Sequence, residues 1–237
     1  MDRTKNKDRT KNKDRTRKQT QSEYYMLKYI LWDNDGVLVD TEYWYFKSTQ
    51  RALNELGVEL PKSTYLNYMS QGKSCWDMLI DTGVDLTTIE SKRKERNVYY
   101  QQYLRTENIQ IQGVIKVLQE LSRTYKMGIV TTSRRADFSL IHNSSGIVQF
   151  MDFIICREDY SISKPDPEPY LCGLKKFAAN TSEVVVVEDS QRGLQSAIAA
   201  KIDCVIVHNE FTKTHNFSGA KYRVKNLAQL PKLLSTL

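Results

Sequence analysis

Apolar positions along the chain fall into two textures separated by a polar start. Between Met1 and Tyr24 there is no apolar residue at all. The first run, KYILWD at residues 28–33, reads as a short buried strand that ends on an aspartate, with Asp35 following one residue later. Helical spacing then takes over at Phe46, Thr49, Leu53 and Leu56, and Gly57 supplies the usual stop. From Val58 to about Ile111 the signals stay helical and polar. Ser74 can cap a short helix through Trp76 and Leu79, and residues 87–106 predict an exposed helix with Tyr99, Tyr100 and Tyr103 on its inner face.

From Gly113 the texture becomes an alternation of helix and strand. Residues 114–123 are amphipathic at Val114, Val117, Leu118 and Leu121; 168–178 and 191–200 read as further helices. Between them stand strands at 127–133, 153–156, 183–189 and 204–207, apolar almost without interruption. Such runs fit strands covered on both faces, which predicts an α/β fold: a doubly wound parallel sheet carrying an inserted all-helical cap. The division follows as residues 27–41 and 112–237 for the core and 42–111 for the cap.

Charge changes the picture once it is divided along the chain. The 237 residues carry +7, but residues 1–25 hold nine Lys/Arg against four acids, so the other 212 carry only +2. The basicity belongs to a tail that repeats as DRTKNK, DRTKNK, DRTRKQ. A six-residue period fits neither helix nor strand, and without apolar residues the segment cannot build a core, so 1–25 is read as a disordered basic tail. Met26 just ahead of the first strand is read as the natural start. A nearly neutral folded part argues against a nucleic-acid partner. No run approaches the roughly 18 apolar residues of a membrane span, and no apolar leader opens the chain, so a cytoplasmic, monomeric protein with no membrane partner is expected. The four cysteines, Cys75, Cys156, Cys172 and Cys204, have no metal or disulfide spacing and suit a reducing compartment.

In a sheet of this kind ligands bind beyond the carboxyl ends of the strands. Those positions hold Asp33-Asn34-Asp35-Gly36, Thr131-Thr132-Ser133, Ser163-Lys164-Pro165-Asp166 and Glu188-Asp189-Ser190. Two like charges at about 4 Å repel by roughly 4 kcal/mol at an effective dielectric of 20, so the carboxylates on this rim call for a cation. A hard divalent ion such as magnesium takes oxygen ligands and leaves room for phosphate oxygens. Lys164 adds a point positive charge suited to a carboxylate nucleophile or a phosphoryl group.

These motifs, taken together and in order, resemble the haloacid dehalogenase superfamily, in its branch of small-metabolite phosphatases and β-phosphoglucomutase-like enzymes with a helical cap on a Rossmannoid core. The similarity covers about residues 27–237: DxDGxxxDTE at Asp33 to Glu42, Thr131, Lys164-Pro165-Asp166-Pro167, and Glu188-Asp189-Ser190 followed by Gly193. The resemblance implies a magnesium-dependent phosphatase acting on a small phosphorylated metabolite, a sugar phosphate or similar, through an aspartyl phosphate. Asp33 would be the nucleophile and Asp35 the proton shuttle. Magnesium would be held by Asp33, the backbone carbonyl of Asp35, and Asp189, with Glu188 in or next to its shell. Thr131 and the backbone amides of Asn34 and Thr132 would donate to the phosphoryl oxygens, with Ser133, Arg134 and, from the cap loop, Lys73 also facing the substrate. Asp40, Thr41 and Glu42 are expected to cap the first cap helix and close the hinge. His142, His208 and His215 have no partner spacing and are expected at the surface or in loops. Asn209, Glu210 and Phe211 are expected to shape the mouth of the site.

Two alternatives stay open. A β-phosphoglucomutase-like mutase would carry a histidine where Tyr45 stands and an arginine at the tip of the cap loop, where Lys73 is nearby instead; both departures weigh towards a hydrolase. A non-catalytic binding protein of the same fold would be expected to lose Asp33, Lys164 or Asp189, and all three are present.

Overall fold

The computed structural model describes residues 26–237; the basic repeat tail lies outside the described residues. Strand β1 (Tyr29–Trp32) explains why its sequence shows no alternation. Ile30, Leu31 and Trp32 are all fully buried. Yet successive side chains point to opposite faces, Ile30 and Trp32 into one apolar cluster and Leu31 into another. The same split holds along β2 (Lys126–Val130), β4 (Val184–Glu188) and β5 (Asp203–Val207), whose valines and isoleucines divide between the two clusters. Each such side chain taken out of water contributes about 1.5–3 kcal/mol, so both faces must be covered.

With β3 (Phe153–Ile155) and β6 (Tyr222–Val224) the strands form one six-stranded sheet in the order β3-β2-β1-β4-β5-β6, every neighbouring pair parallel. The winding therefore reverses beside β1, with β2 on one side and β4 on the other. That reversal leaves a crevice beyond the strand ends. Trp32 pairs with Val187, so the next residues along, Asp33 and Glu188, emerge side by side into it.

Between β1 and β2 the chain is helical. Helix α1 (Glu42–Asn54) buries Phe46, Thr49, Ala52 and Leu53; α2 (Lys62–Ser70) buries Tyr65 and Met69; α3 (Leu86–Thr106) buries Ile89, Tyr100 and Leu104. These helices build a third apolar cluster, which the core enters through one ring, Phe211 from the segment after β5. The tyrosine face of α3 matches its expectation at Tyr100, while Tyr99 and Tyr103 are half-buried. The short element after Ser74 is a 3₁₀ helix (Cys75–Thr82) rather than an α-helix, capped by the Ser74 hydroxyl and stopped at Gly83.

Helices α4 (Val114–Leu121), α5 (Arg135–His142), α6 (Glu168–Phe177) and α7 (Gln191–Ala199) cover the sheet, and α8 (Leu230–Leu234) packs on α4. No helix among the described residues is long and apolar enough to cross a membrane. All four cysteines are free.

Candidate active site

The site grows out of a turn that β1 cannot continue. After Asp33 the backbone folds back on Asn34, whose carbonyl accepts from the amides of Val37, Leu38 and Val39. Gly36 sits at φ +86°, and a Cβ there would fall 2.3 Å from Asp189 Oδ2. Only glycine satisfies both demands. The turn brings Asp33 and Asp35 into the crevice together, where a continued strand would have pointed both onto a covered face of the sheet.

Lys164 organises the floor. Its ammonium donates to Asp33 Oδ1 (2.6 Å), Glu188 Oε1 (2.9 Å) and the Val130 carbonyl (2.9 Å), so all three donors are used inside the protein. Burial opposes its charge, but Asp33 and Glu188 outweigh that and hold its pKa above the ordinary lysine value. Glu188 is saturated: Tyr170 also donates to Oε1 (2.7 Å), and the amides of Asp189 and Ser190 and the Ser190 hydroxyl reach Oε2. Burial works against its ionisation too, yet these donors, Lys164 first, keep its carboxyl below the usual range. Gly193 makes the arrangement possible, since a Cβ there would meet Glu188 Oε1 at 1.8 Å.

One lysine does not balance three buried carboxylates. Asp33, Glu188 and Asp189 each offer an oxygen within 4.8 Å of the others. Burial and the Glu188 charge push Asp33 up to about 7 and Asp189 well above its ordinary value. The donor set is all oxygen and short of positive charge, which fits a hard divalent cation. Thr212 steadies Asp189, donating to its carbonyl (2.7 Å) and lying 3.2 Å from Oδ2.

Asp35 lies in a different setting. Its carboxylate accepts from the hydroxyls of Thr131 (3.1 Å), Ser133 (2.7 Å) and Thr41, and from the Asn34 amide (3.3 Å). Thr41 therefore serves Asp35 and not the helix: it occupies the position before α1 without a side-chain capping bond, a correction to the expected role. Glu42 is also corrected, because its buried side chain lines the cleft and does not merely mark a hinge. Burial, aided by Asp35 and Asp33, raises it to about 8 against the opposing pull of Arg192.

Above the rim lies a cleft of about 390 Å³ between the helical segment and the sheet. Asp35, Thr132, Ser133 and Arg134 line it from below, and Lys73, whose ammonium makes no hydrogen bond with the described residues, faces it from above. Arg134 is held by a bidentate pair with Asp137 (2.8 Å for each bond). Thr132 accepts from Arg192 at 3.1 Å. Asn209 donates to the Gly36 carbonyl and Phe211 packs into the helical cluster; with Glu210 they line a separate hollow and not this cleft.

One histidine departs from expectation, and a second keeps its loop place but is buried. His142 is buried, its ring between Ser145 Oγ and Asn34 Oδ1, 2.8 Å from each, and burial lowers it to about 4. It thereby braces the Asp33–Asp35 turn. The sequence signal existed: His142 follows Phe138 by four residues on the inner face of α5. His215 is buried as well, taking the Gln191 amide on Nδ1, while His208 is exposed. Tyr170, Arg192 and Thr212 were not singled out from sequence.

The sequence pattern of the haloacid dehalogenase-like hydrolases matches residues 30–207. A putative phosphatase, YhcW of Bacillus subtilis, is 25% identical over 212 residues, which is 86% of this chain and 94% of that protein. Protein Suppressor of Quenching 1, chloroplastic, of Arabidopsis thaliana is 25% identical over 184 residues; the match takes in 75% of this chain but spans only 17% of that longer relative. Among solved structures, β-phosphoglucomutase from Clostridium difficile superposes with a TM-score of 0.73 at 22% identity, covering 89% of this chain and 98% of that one. At that identity the likeness is one of fold.

Proposed function

The chain belongs to the haloacid dehalogenase-like hydrolases, and from that premise we propose that it is a magnesium-dependent phosphatase of a small phosphorylated metabolite, working through an aspartyl phosphate. One observation carries the reading. Asp33 Oδ1 is pinned by Lys164, while Oδ2 accepts no hydrogen bond from the described residues, beside two further carboxylates. A carboxylate oxygen kept free and backed by a lysine is the nucleophile that two-step phosphoryl transfer requires.

Asp33 Oδ2 attacks phosphorus and the bond to the ester oxygen breaks. Asp35 gives that oxygen its proton, then takes one from the water that attacks phosphorus in the second step, returning Asp33 and releasing phosphate. The hydroxyls of Ser133 and Thr41 hold Asp35 in place, and Thr131, turning its hydroxyl from Asp35 to the substrate, joins the amides of Asn34 and Thr132 as donors to the phosphoryl oxygens. Asp33, the carbonyl of Asp35, and Asp189 would hold the magnesium ion, with Glu188 in or next to its shell, and a bound ion would supply positive charge against the phosphoryl group. Glu188, already taken by five donors, is better fitted to support than to direct ligation. Residues 42–111 act as the cap over a core of 27–41 and 112–237, and Lys73 and Arg134 bring positive charge to the substrate.

Tyr45 favours hydrolysis over a mutase. It packs edge-on to Tyr100 and under Arg96, an aromatic site with no imidazole. The same reading has the protein act as a cytoplasmic monomer, and light scattering after gel filtration checks the monomer. The test of the activity is phosphate release from p-nitrophenyl phosphate and a panel of phosphorylated metabolites, with magnesium and with chelator. Asp33→Asn should abolish release while keeping the fold; turnover above about 1% of wild type would sink the assignment.

A further inference from the structure

Of the charged groups lining the cleft, Glu42, Arg93, Arg96, Arg157 and Arg192 stand outside the phosphoryl chemistry, and Glu42 and Arg192 share one space without pairing. Arg192, in the first turn of α7, turns its guanidinium into the cleft and spends one nitrogen on Thr132 Oγ1 (3.1 Å). Its Nε is buried with no partner among the described residues. Glu42 faces the same space from the first residue of α1, buried, and accepts no hydrogen bond from the described residues. Each feels the other's field, since Glu42 is the foremost group supporting the Arg192 charge against burial. Yet they form no ion pair with each other.

A purely structural pair would have closed. A buried donor left unmade costs about 1–3 kcal/mol, and a guanidinium beside a carboxylate gains by closing a two-bond fork. Glu42 at a helix N-terminus gains from the helix dipole, but that reward needs neither burial nor a cleft. A gap between an acceptor and a donor, both aimed into one cavity, fits a neutral ligand group that both gives and takes hydrogen bonds. A hydroxylated carbon chain is such a group. The walls agree, because Tyr45, Tyr65, Trp76 and Tyr100 line the same space, and aromatic faces suit the C–H surface of a polyol or sugar. A second phosphate or carboxylate at this place would meet Glu42 instead.

We propose that Glu42 and Arg192 are the substrate-selecting pair of the cleft, Glu42 accepting from one hydroxyl and Arg192 donating to a neighbouring oxygen of a polyhydroxylated phosphate ester. This rests on the phosphatase reading and narrows its substrates to phosphorylated sugars and polyols. It excludes short phosphorylated acids and pyrophosphate as preferred substrates, since neither offers a hydroxyl chain to the pair.

Matched esters test it: glucose 6-phosphate against cyclohexylmethyl phosphate, and glycerol 1-phosphate against propyl phosphate. The wild type should favour the hydroxylated member of at least one pair by about tenfold or more in kcat/KM. Glu42→Gln and Arg192→Lys, with Arg192→Ala as the stronger variant, should shrink that preference to about twofold or less, mainly through KM for the hydroxylated ester. Thermal unfolding confirms that each variant is folded. In parallel, calorimetry with Asp33→Asn and magnesium reads binding of the same esters without turnover. No preference in either pair, or variants that slow both members of a pair alike, would overturn the proposal. If no ester is hydrolysed but the hydroxylated ones bind more tightly to Asp33→Asn, the phosphatase reading falls and the selecting pair stands.

Discussion

Lys164→Met removes the cation that bridges Asp33 and Glu188 and keeps nearly the same volume. Three hydrogen bonds from the ammonium go, two of them ion pairs, to Asp33 at 2.6 Å and Glu188 at 2.9 Å. The larger loss is what remains: two buried carboxylates without their counter-charge. Breaking a buried pair from one side costs about 3–5 kcal/mol. For a domain of this size that corresponds to a fall in Tm of about 6–20 °C. The pH dependence gives the reasoning its sharper edge. In the wild type the raised Lys164 pKa means that its contribution is fully present below the ordinary lysine value and is lost only as pH climbs through the higher, folded value. Between pH 5 and 8 Lys164 therefore stays charged, and what changes in the wild type comes from Asp33, already raised to about 7. In the variant both carboxyls rise above their unfolded values, so the folded state binds more protons than the unfolded one, and stability must grow as pH falls. Urea unfolding of both proteins at pH 8, 6.5 and 5, without divalent cations, measures the gap. A deficit below about 1 kcal/mol at pH 8, or one that widens on acidification, would refute this account of the floor.

Gly193→Ala drives a Cβ to 1.8 Å from Glu188 Oε1, inside a helix with no room to yield, and should cost about 2–4 kcal/mol with loss of phosphate release; denaturation and activity together check it. His142 is lowered from 6.5 to about 4 by burial, so the folded state holds it neutral and stability is lost as pH falls from about 6.5 to 4, by about 3 kcal/mol in all. His142→Gln keeps both hydrogen-bond capacities without titrating, and its unfolding free energy should decline less over that window. Magnesium at a hundred times its dissociation constant should stabilise the protein by about 2.7 kcal/mol, a Tm rise of about 5–11 °C, and Asp189→Asn should remove the rise in differential scanning fluorimetry.

The strand ends were legible because two independent patterns meet there. An uninterrupted apolar run marks a strand covered on both faces, and a polar cluster directly after it marks the rim, which is how Asp33, Thr131, Glu188 and Asp189 declare themselves. Lys164 stands in a loop well after β3, so its place at the rim was readable from the run that strand leads into, while its partners Asp33 and Glu188 were not. The edge strand β6 was not legible: three residues with an exposed Arg223 at the centre carry no period. Glu42 and Arg192 were hidden for another reason. Each opens a helix, where acidic and polar residues are ordinary, and nothing in a linear pattern says that two helix starts 150 residues apart face one cavity. His142 stood in the open on an apolar helical stripe, but the pattern cannot tell a buried brace from an exposed ring until Asn34 is seen opposite.

The strand order carries a consequence for how the chain is made. β1 sits in the middle of the sheet, and its two neighbours begin about a hundred and about a hundred and fifty residues later, at Lys126 and Val184. At the usual synthesis rate of about 5–20 residues per second, this central strand and its nucleophile wait roughly 5–20 s on the ribosome for a first partner, and longer for the second. Until Val184–Glu188 has emerged, Asp33 has neither Glu188 nor Asp189 beside it. A chain truncated before β4 thus contains the nucleophile but no site, and it presents one open strand edge to other chains. Loss of residues 184–237 is therefore a defect in assembly and solubility before it is a defect in chemistry.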